Sequence, residues 1–296
     1  MLGQKRLSNS SFGMLCTVPG LLVLIALVFY PVVYNVVVSL LRYNNVTPTK
    51  FIGLKNYLGQ FTSADFLVSW RVSLIYSVGS SLLTLVVGLL LAHALNRINR
   101  ARAFFRTLVI LPWSVPLVLS GLMWKWILDA NIGLVNYLLA SLGLIRQNIP
   151  FLSQPTLALL SGILATAYVH VPFVTVLLHA GLKNIPTELY EVAEIDGADS
   201  IHKLLYLTLP LNRPQIVFSV VVIWMFTFRT PDVFFSLTGG GPGKATYHAG
   251  LYLMDLIYRF LDFGKGAAVG VLMFLTIIVV LVPSIYFSLL KREKRS

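Results

Sequence analysis

The chain predicts an all-α integral membrane protein forming a single domain over residues 1–296, and three observations carry that prediction. Of its 296 residues, 57% are hydrophobic and only 11% are charged, whereas about 25% are charged in an ordinary soluble domain. The mean hydropathy is +0.80. Apolar runs long enough to cross a bilayer recur between polar segments, and their number predicts six spans. A formal charge of +12 would suggest a nucleic-acid partner for a soluble chain. Here the cations bracket the apolar runs, so topology accounts for them and no nucleic-acid partner is expected.

The first run extends from about Phe12 to Leu40 and contains Pro19 and Pro31. It is longer than a signal-peptide core and no small-residue cleavage site follows, so an uncleaved span is expected. Residues 42–69 are more polar and read as an external connection. The second span, about Arg71 to Leu95, carries Ser77, Ser81, Gly88 and Ala92 at fourfold spacing, which permits close helix contact. The third, about Leu108 to Leu128, has Pro112 and Pro116 near one end, with Trp113, Trp124 and Trp126 as candidate interface anchors. A stretch from Leu134 to Leu144 is too short to span. The fourth span, about Thr156 to Leu182, offers a small face at Ser161, Gly162, Ala165 and Thr166. The fifth runs from about Gln215 to Leu237 and the sixth from about Gly266 to Leu290.

Thirteen of the 23 basic residues fall where six spans place one side of the membrane: Lys5, Arg6, Arg97, Arg100, Arg102, Arg106, Lys183, Lys203, Arg213, Lys291, Arg292, Lys294 and Arg295. Positive charge marks the cytoplasmic side, so both termini are expected there. Cys16 is the single cysteine, which excludes an internal disulfide and a cysteine-cluster metal site. Leu15 before it argues against lipid attachment, and a small buried hydrophobe is the expected role.

One polar island interrupts the apolar pattern on that same side: Glu191 to Pro210, read as EVAEIDGADSIHKLLYLTLP. Two short helices meeting at Gly197 are the simplest physical reading, with a plain connecting loop as the alternative. Asn184 or Thr187 is the expected cap, and Pro186 suits a first turn. Leu189, Val192, Ala193 and Asp196 share one edge of the first helix. Ile201, Leu204, Leu205 and Leu209 form a stripe on the second, expected to pack on the rest of this chain, and Pro210 ends it.

Glu191-Val192-Ala193, Gly197, Leu207, Leu209-Pro210 and Pro214 resemble the coupling-loop signature of permease subunits in binding-protein-dependent ATP-binding-cassette sugar importers. Val192 and Leu207 depart mildly from it, standing where Ala and Ile are usual. Phe51-Ile52-Gly53-Leu54-Lys55-Asn56-Tyr57, Leu237 to Pro242 with Ala245-Thr246, and Phe263-Gly264-Lys265-Gly266 are similar to segments of the first-subunit class, which includes glycerol-3-phosphate, lactose and maltose permeases. The resemblance implies the ABC importer type I permease fold with a cytoplasmic coupling helix inside residues 184–214. It also implies a second homologous permease subunit, two nucleotide-binding ATPase subunits that hold ATP and Mg, an external solute-binding protein, and a sugar or sugar derivative as cargo. Under it, Glu191, Val192, Ala193, Asp196, Gly197 and Pro210 couple this chain to the ATPase, with Glu191 as the charged anchor.

Residues 237–265 read as an external loop in which Thr246 caps an amphipathic segment carrying Leu251, Met254, Leu256 and Tyr258. Gly239 to Lys244 mimics a phosphate loop. Thr238 stands where the first glycine is needed and Ala245 where a magnesium-binding hydroxyl is needed, so nucleotide binding is excluded. Candidate pathway residues are His170, Trp224, Phe228, Arg229 and Asp232, because aromatic faces stack on sugar rings and an intramembrane arginine must face water or a partner. Lipid contact, gate packing or a subunit interface are the competing roles, and Arg229 and Asp232 are spaced to pair. No concentrated nucleophile, acid-base or metal-ligand set is present, so neither a catalytic nor a metal site is expected and no cofactor is assigned to this chain. An ion-coupled secondary transporter without an ATPase is the alternative, weakened by the scarcity of carboxylates within the spans.

Overall fold

A computed structural model describes residues 9–44, 46–98 and 102–293. Lys5, Arg6, Arg100, Lys294 and Arg295, and the side chains of Cys16, Arg102, Lys291 and Arg292, lie outside the described part. The order of elements is α1 (Asn9–Leu24), a π-helical stretch at Ile25–Phe29, α2 (Tyr30–Ser39), strands β1 (Leu41–Arg42) and β2 (Lys50–Phe51), α3 (Lys55–Phe61), α4 (Ala64–Arg97), α5 (Arg102–Ile110), α6 (Leu117–Ile127), α7 (Leu134–Ser141) and α8 (Pro155–Lys183). Then follow α9 (Thr187–Ile195), α10 (Ser200–His202), a second π-helical stretch at Lys203–Thr208, α11 (Leu209–Leu211), α12 (Arg213–Arg229), α13 (Asp232–Leu237), α14 (Ala249–Met254) and α15 (Phe263–Glu293). Four stretches are long and apolar enough to cross a bilayer unaided: Thr17–Ser39, Ala64–Arg97, Pro155–Lys183 and Phe263–Ser284. Two bent pairs raise the count to six.

The second span begins earlier than its apolar run. Ser63 caps α4, its hydroxyl accepting from Phe66 N at 3.4 Å, so the helix starts at Ala64 and not near Arg71. The third span is not one rod. Ala103–Ser114 and Leu117–Ile127 meet at 97°. Pro112 and Pro116 cause the break: each lacks an amide hydrogen, and Val115, held extended at ψ 120° before Pro116, cannot continue a helix. The fifth span also stops short of its expected end. Thr230 is extended and Pro231 follows, so α12 ends at Arg229 and α13 is a separate short helix.

The chain forms two compact units. In the first, Met1–Thr62 with Leu253–Leu272, Asn56 is buried and its amide donates to Ser39 O and Leu41 O, both at 2.8 Å, while Tyr57 Oη bonds Ser39 Oγ. These bonds tie the Asn56-Tyr57 motif to the end of α2. Leu41 pairs with Phe51 and Arg42 with Lys50 in an antiparallel ribbon beneath it.

In the second unit, Ser63–Tyr252 with Met273–Ser296, α4 shows a distribution opposite to that of a soluble helix. Ser69, Ser73, Ser77, Ser80, Ser81 and Thr84 are buried, whereas Leu67, Leu74, Ile75, Val78, Leu82, Val86 and Leu90 are exposed. In hydrocarbon there is no hydrophobic gain from burying leucine against another helix, and small residues that allow close approach decide which face turns inward. α8 lies along that face, with α12 beside it. Tyr76, Ile163, Phe234 and Leu251 form one cluster, reinforced where Tyr76 Oη meets Thr166 Oγ1 at 2.5 Å. Ala165, Val233 and Leu237 form a second, and there Trp124 is half-buried, unlike exposed Trp113 and Trp126.

Gly162 sets the closeness of α8 to α13: a Cβ on it would fall 2.1 Å from Phe234 Cε1. Gly162→Val is expected to cost about 1–3 kcal/mol of packing. The check is the thermal midpoint of the detergent-solubilised protein, read by size exclusion after heating, which should fall by several degrees; an unchanged midpoint contradicts the packing.

Candidate functional site

The polar island folds as an elbow. α8 ends with Asn184 as its C-cap, three residues cross over, and α9 begins at Thr187. The expected cap from Asn184 or Thr187 does not form: Pro186 occupies the cap position, and Thr187 is the first helical residue. α9 ends in a left-handed turn at Gly197, whose φ is +77°. There Gly197 N bonds Glu194 O at 3.0 Å and Ala198 N bonds Ala193 O at 2.8 Å, the paired bonds that close a helix through a glycine. Asp199 opens the next helix, its carboxylate accepting from Ile201 N at 2.9 Å and His202 N at 2.8 Å. Those amides hold the Asp199 carboxyl below its ordinary value, so it is ionised at neutral pH. The exit arm, Ser200–Leu211, meets α12 at 71°.

Two side-chain bonds brace the arms. Lys203 Nζ donates to Glu194 Oε1 at 2.6 Å across the turn. The ammonium lowers the Glu194 carboxyl from its ordinary value. Tyr190 Oη lies 3.0 Å from Thr208 Oγ1. The ring of Tyr190 also packs on the apolar cluster formed by Ala92, Val174, Leu178, Leu182, Ile185 and Ile223. Tyr190 therefore fastens α9 to α4, α8 and α12 as well as to the exit arm. It was not singled out in the sequence, where it precedes Glu191 without any pattern of its own.

The outward surface of the elbow is apolar and acidic. Leu189 is 42% exposed, Val192 54%, Ile195 86%, Ile201 65%, Leu205 50% and Tyr206 77%. Glu188, Glu191, Glu194, Asp196 and Asp199 are exposed around them. Ala193 and Pro210 are half-buried. The stripe expected to pack on this chain is divided, with Ile201 and Leu205 outward and Leu204 and Leu209 half-buried. The π-helical stretch at Lys203–Thr208 explains this, because its wider turn rotates a pattern written at 3.6 residues per turn. Ile195 and Tyr206 are the most exposed apolar side chains of the elbow and were not anticipated. Ile195 extends the Leu189 and Val192 spacing by one more step of three, which is the signal that was available.

The pathway candidates divide between packing and surface. His170 is buried, with Nδ1 3.0 Å from Thr166 O and its ring 6.1 Å from Phe226. Trp224 stacks on Phe228 at 4.9 Å and 9°, and Trp70 meets Phe228 edge-on at 5.4 Å. Trp224 and Phe228 are both buried. Arg229 is exposed, with its guanidinium 6.0 Å from the ring centroid of Phe226, and Asp232 is half-buried in the first turn of α13. No ion pair joins Arg229 to Asp232 among the described residues, because the break at Thr230 and Pro231 removes the helical geometry their spacing required.

The glycine-rich segment Gly239 to Lys244 is held by side chains. Lys244 pairs with Asp65, in the first turn of α4. Thr246 is fully buried and donates to Gly241 O at 2.7 Å, so it closes the loop and does not cap the next helix. That helix, α14, begins at Ala249, with Leu251 and the following Leu256 buried and Tyr258 exposed.

Residues 84–295 match the family described as "Binding-protein-dependent transport system inner membrane component". The chain is 34% identical over 271 residues to the trehalose/maltose transport system permease protein MalF of Thermococcus litoralis, covering 91% of each. It is 32% identical over 275 residues to the sulfoquinovosyl glycerol transport system permease protein SmoG of Agrobacterium fabrum, covering 90% of this chain and 87% of the relative. Its fold is similar to a chain in the crystal structure of a bacterial alginate ABC transporter in complex with an alginate pentasaccharide-bound periplasmic protein. The TM-score is 0.79 at 21% identity, over 94% of this chain and 93% of the other. The resemblance read from the coupling signature is thereby established, and the chain belongs to the inner-membrane components of binding-protein-dependent transport systems, as a multi-pass transport permease and not an enzyme.

Proposed function

We propose that this chain is one of two permease subunits of an ATP-driven importer for a sugar or sugar derivative, and that Glu191 to Pro210 receives mechanical work from an ATPase. In this assembly two nucleotide-binding subunits hold ATP and Mg, a second homologous permease completes the pathway, and an external solute-binding protein delivers the cargo. Both termini and the elbow lie in the cytoplasm, in keeping with the thirteen basic residues on that side. Relatives named for the transport of trehalose/maltose and of sulfoquinovosyl glycerol support the cargo class.

The observation that carries this reading is the elbow itself. Six exposed apolar side chains stand on a segment rimmed by carboxylates and braced against three spans. An apolar surface inside a ring of charge suits a protein partner. α9 inserts into a cleft of the ATPase, with Leu189, Val192 and Ile195 as the apolar contact, Ala193 allowing close approach, and Glu191 and Asp196 fixing register through charge. Gly197 permits the turn between the arms. On the pathway side, Arg229 and Asp232 face water or cargo at the break in the fifth span, and His170, Trp224 and Phe228 shape the wall behind them.

The test is copurification of the chain with its ATPase, followed by uptake into vesicles with and without ATP. ATP-dependent uptake is expected; uptake by this chain without an ATPase would establish the ion-coupled alternative instead. Ile195→Asp is expected to weaken ATPase copurification by about tenfold or more, as loss of a central apolar anchor does, while the solubilised chain keeps its thermal midpoint. Retention of the ATPase at the original level would remove Ile195 from the docking face. Gly197→Val forces a β-branched residue into the left-handed region, at a cost of about 1–2 kcal/mol. Uptake per ATP hydrolysed should fall in that variant; normal solute-stimulated hydrolysis together with normal uptake would count against the elbow as a lever.

A further inference from the structure

The elbow leaves α8 and returns into α12, and one buried amide joins those two rods where the chain bends. Asn212 lies between the exit arm and α12, at the 71° turn. Its backbone continues helical bonding on both sides: its N–H donates to Thr208 O at 3.0 Å, and its carbonyl accepts from Ile216 N at 3.1 Å. Its side chain, fully buried, reaches out of the helix, and Nδ2 donates to Leu178 O in α8 at 3.1 Å. Leu178 is five residues before the end of α8, just upstream of α9.

The facing helix is shaped to admit that amide. Gly181 stands opposite, and a Cβ there would lie 1.9 Å from Asn212 Oδ1 and 2.9 Å from Gln215 Cδ. Any larger residue at Gly181 displaces Asn212. An aliphatic residue would pack here without bringing polar atoms inside, whereas Asn212 Oδ1 and Gln215 Oε1 are buried and meet no donor among the described residues.

We propose that Asn212 is a positioning residue that locks the exit arm of the elbow to α8, so that displacement of the elbow moves α8 and α12 together. This rests on the proposed role of the elbow as the receiver of work. Glu194–Lys203 and Tyr190–Thr208 hold the two arms to one another. The ring of Tyr190 holds α9 to the cluster, but neither bond reaches the junction of the exit arm with α12 at Asn212. Asn212 supplies that third tie, and with it the elbow and the two rods close into one frame. Without it the bend between Leu211 and Arg213 absorbs the displacement as a change of angle.

The experiment uses the assembled transporter in vesicles, with hydrolysis and uptake measured on the same sample. Asn212→Leu keeps the number of side-chain heavy atoms and their branching at Cγ and removes the donor. Copurified ATPase and its rate of hydrolysis should remain within about twofold, while uptake per ATP hydrolysed falls by about tenfold, the scale of one lost buried hydrogen bond. A loss of packing alone would instead lower hydrolysis and uptake in proportion, through loss of assembled complex. Gly181→Ala, which pushes Asn212 away without altering it, should reproduce the uncoupling. The double variant Gly181→Ala with Asn212→Ser restores room but not the bond, and should remain uncoupled.

Spin labels on the exposed positions Lys183 and Leu211 provide a second measurement that does not depend on Asn212→Leu yielding a complex. In Asn212→Ser their distance distribution should broaden. Coupled uptake at the original ratio in Asn212→Ser, or an unchanged distance distribution, would overturn the latch. Failure of the unmodified complex to show ATP-dependent uptake would overturn the proposed function itself, and is read before any variant.

Discussion

The apolar cluster at the foot of the elbow is the constraint from which the rest follows. Ala92 comes from α4, Val174, Leu178 and Leu182 from α8, Ile185 from the crossover and Ile223 from α12, with Tyr190 of α9 and Ile216 packed against them. Where this cluster is surrounded by hydrocarbon, burying its side chains gains no hydrophobic free energy, and the attraction is that of close packing. Close packing needs small residues at the points of nearest approach, and this explains why serine, glycine and alanine face inward on α4 while Leu67, Leu74, Val78, Leu82, Val86 and Leu90 face outward, and why Ser161, Gly162 and Ala165 share the inner face of α8 with Val174, Leu178 and Leu182. Tyr190 stiffens the foot of the elbow by placing its ring against the cluster and its hydroxyl on the opposite arm.

The two broken spans pose a separate problem, since backbone groups released at a helix end must find partners inside the membrane. At the end of α12 Phe226 O keeps a backbone partner, Thr230 N at 3.1 Å, and also accepts from Thr230 Oγ1 at 2.9 Å, whereas Thr227 O is met by a side chain, His248 Nε2 at 3.0 Å. The other nitrogen of His248 accepts from Gly250 N at 3.0 Å, so the proton resides on Nε2 and is donated to Thr227 O. Ala249 N in turn donates to Ser73 Oγ at 2.8 Å. The segment between α13 and α14 thus supplies, through His248, a partner for a carbonyl at the break in the fifth span. Its lysine is committed to Asp65, which leaves the resemblance to a phosphate loop as a coincidence of composition.

The chain announced its spans because apolar length is a property of consecutive residues. Pro155–Lys183 was legible almost to the residue, and Gly197 was legible because it is the one residue of its segment free to take a positive φ. The break at Pro112 and Pro116 was visible as two prolines, but its 97° angle depends on what packs against each half. Ile201 and Leu205 face outward although their spacing predicts packing on this chain, because a π-helical turn leaves no mark in a hydrophobic pattern. Tyr190 and Asn212 were invisible for a different reason. Their partners lie 18 and 34 residues away, at Thr208 and Leu178, and no local pattern encodes a bond across that distance. The turn of the elbow is written in Gly197, whereas the bonds that brace its arms join residues with no local pattern.

α9 has only nine residues, too few to hold a helix in isolation. It is stabilised on one side by Tyr190 and the crossover residue Ile185, which belong to the cluster, while Leu189, Val192 and Ile195 remain exposed on the other. A helix so short, with its two faces given to different neighbours, cannot change its contacts with one neighbour without altering its own order. Docking of the proposed ATPase on the exposed face would therefore be thermodynamically linked to packing on the bundle, and reciprocally: a shift of the spans would change the affinity of the elbow by the same factor with which the docked subunit would shift the spans. Such reciprocity requires only that the short helix remain attached on both sides, and the bonds from Tyr190 and Lys203 provide that attachment on the side of this chain.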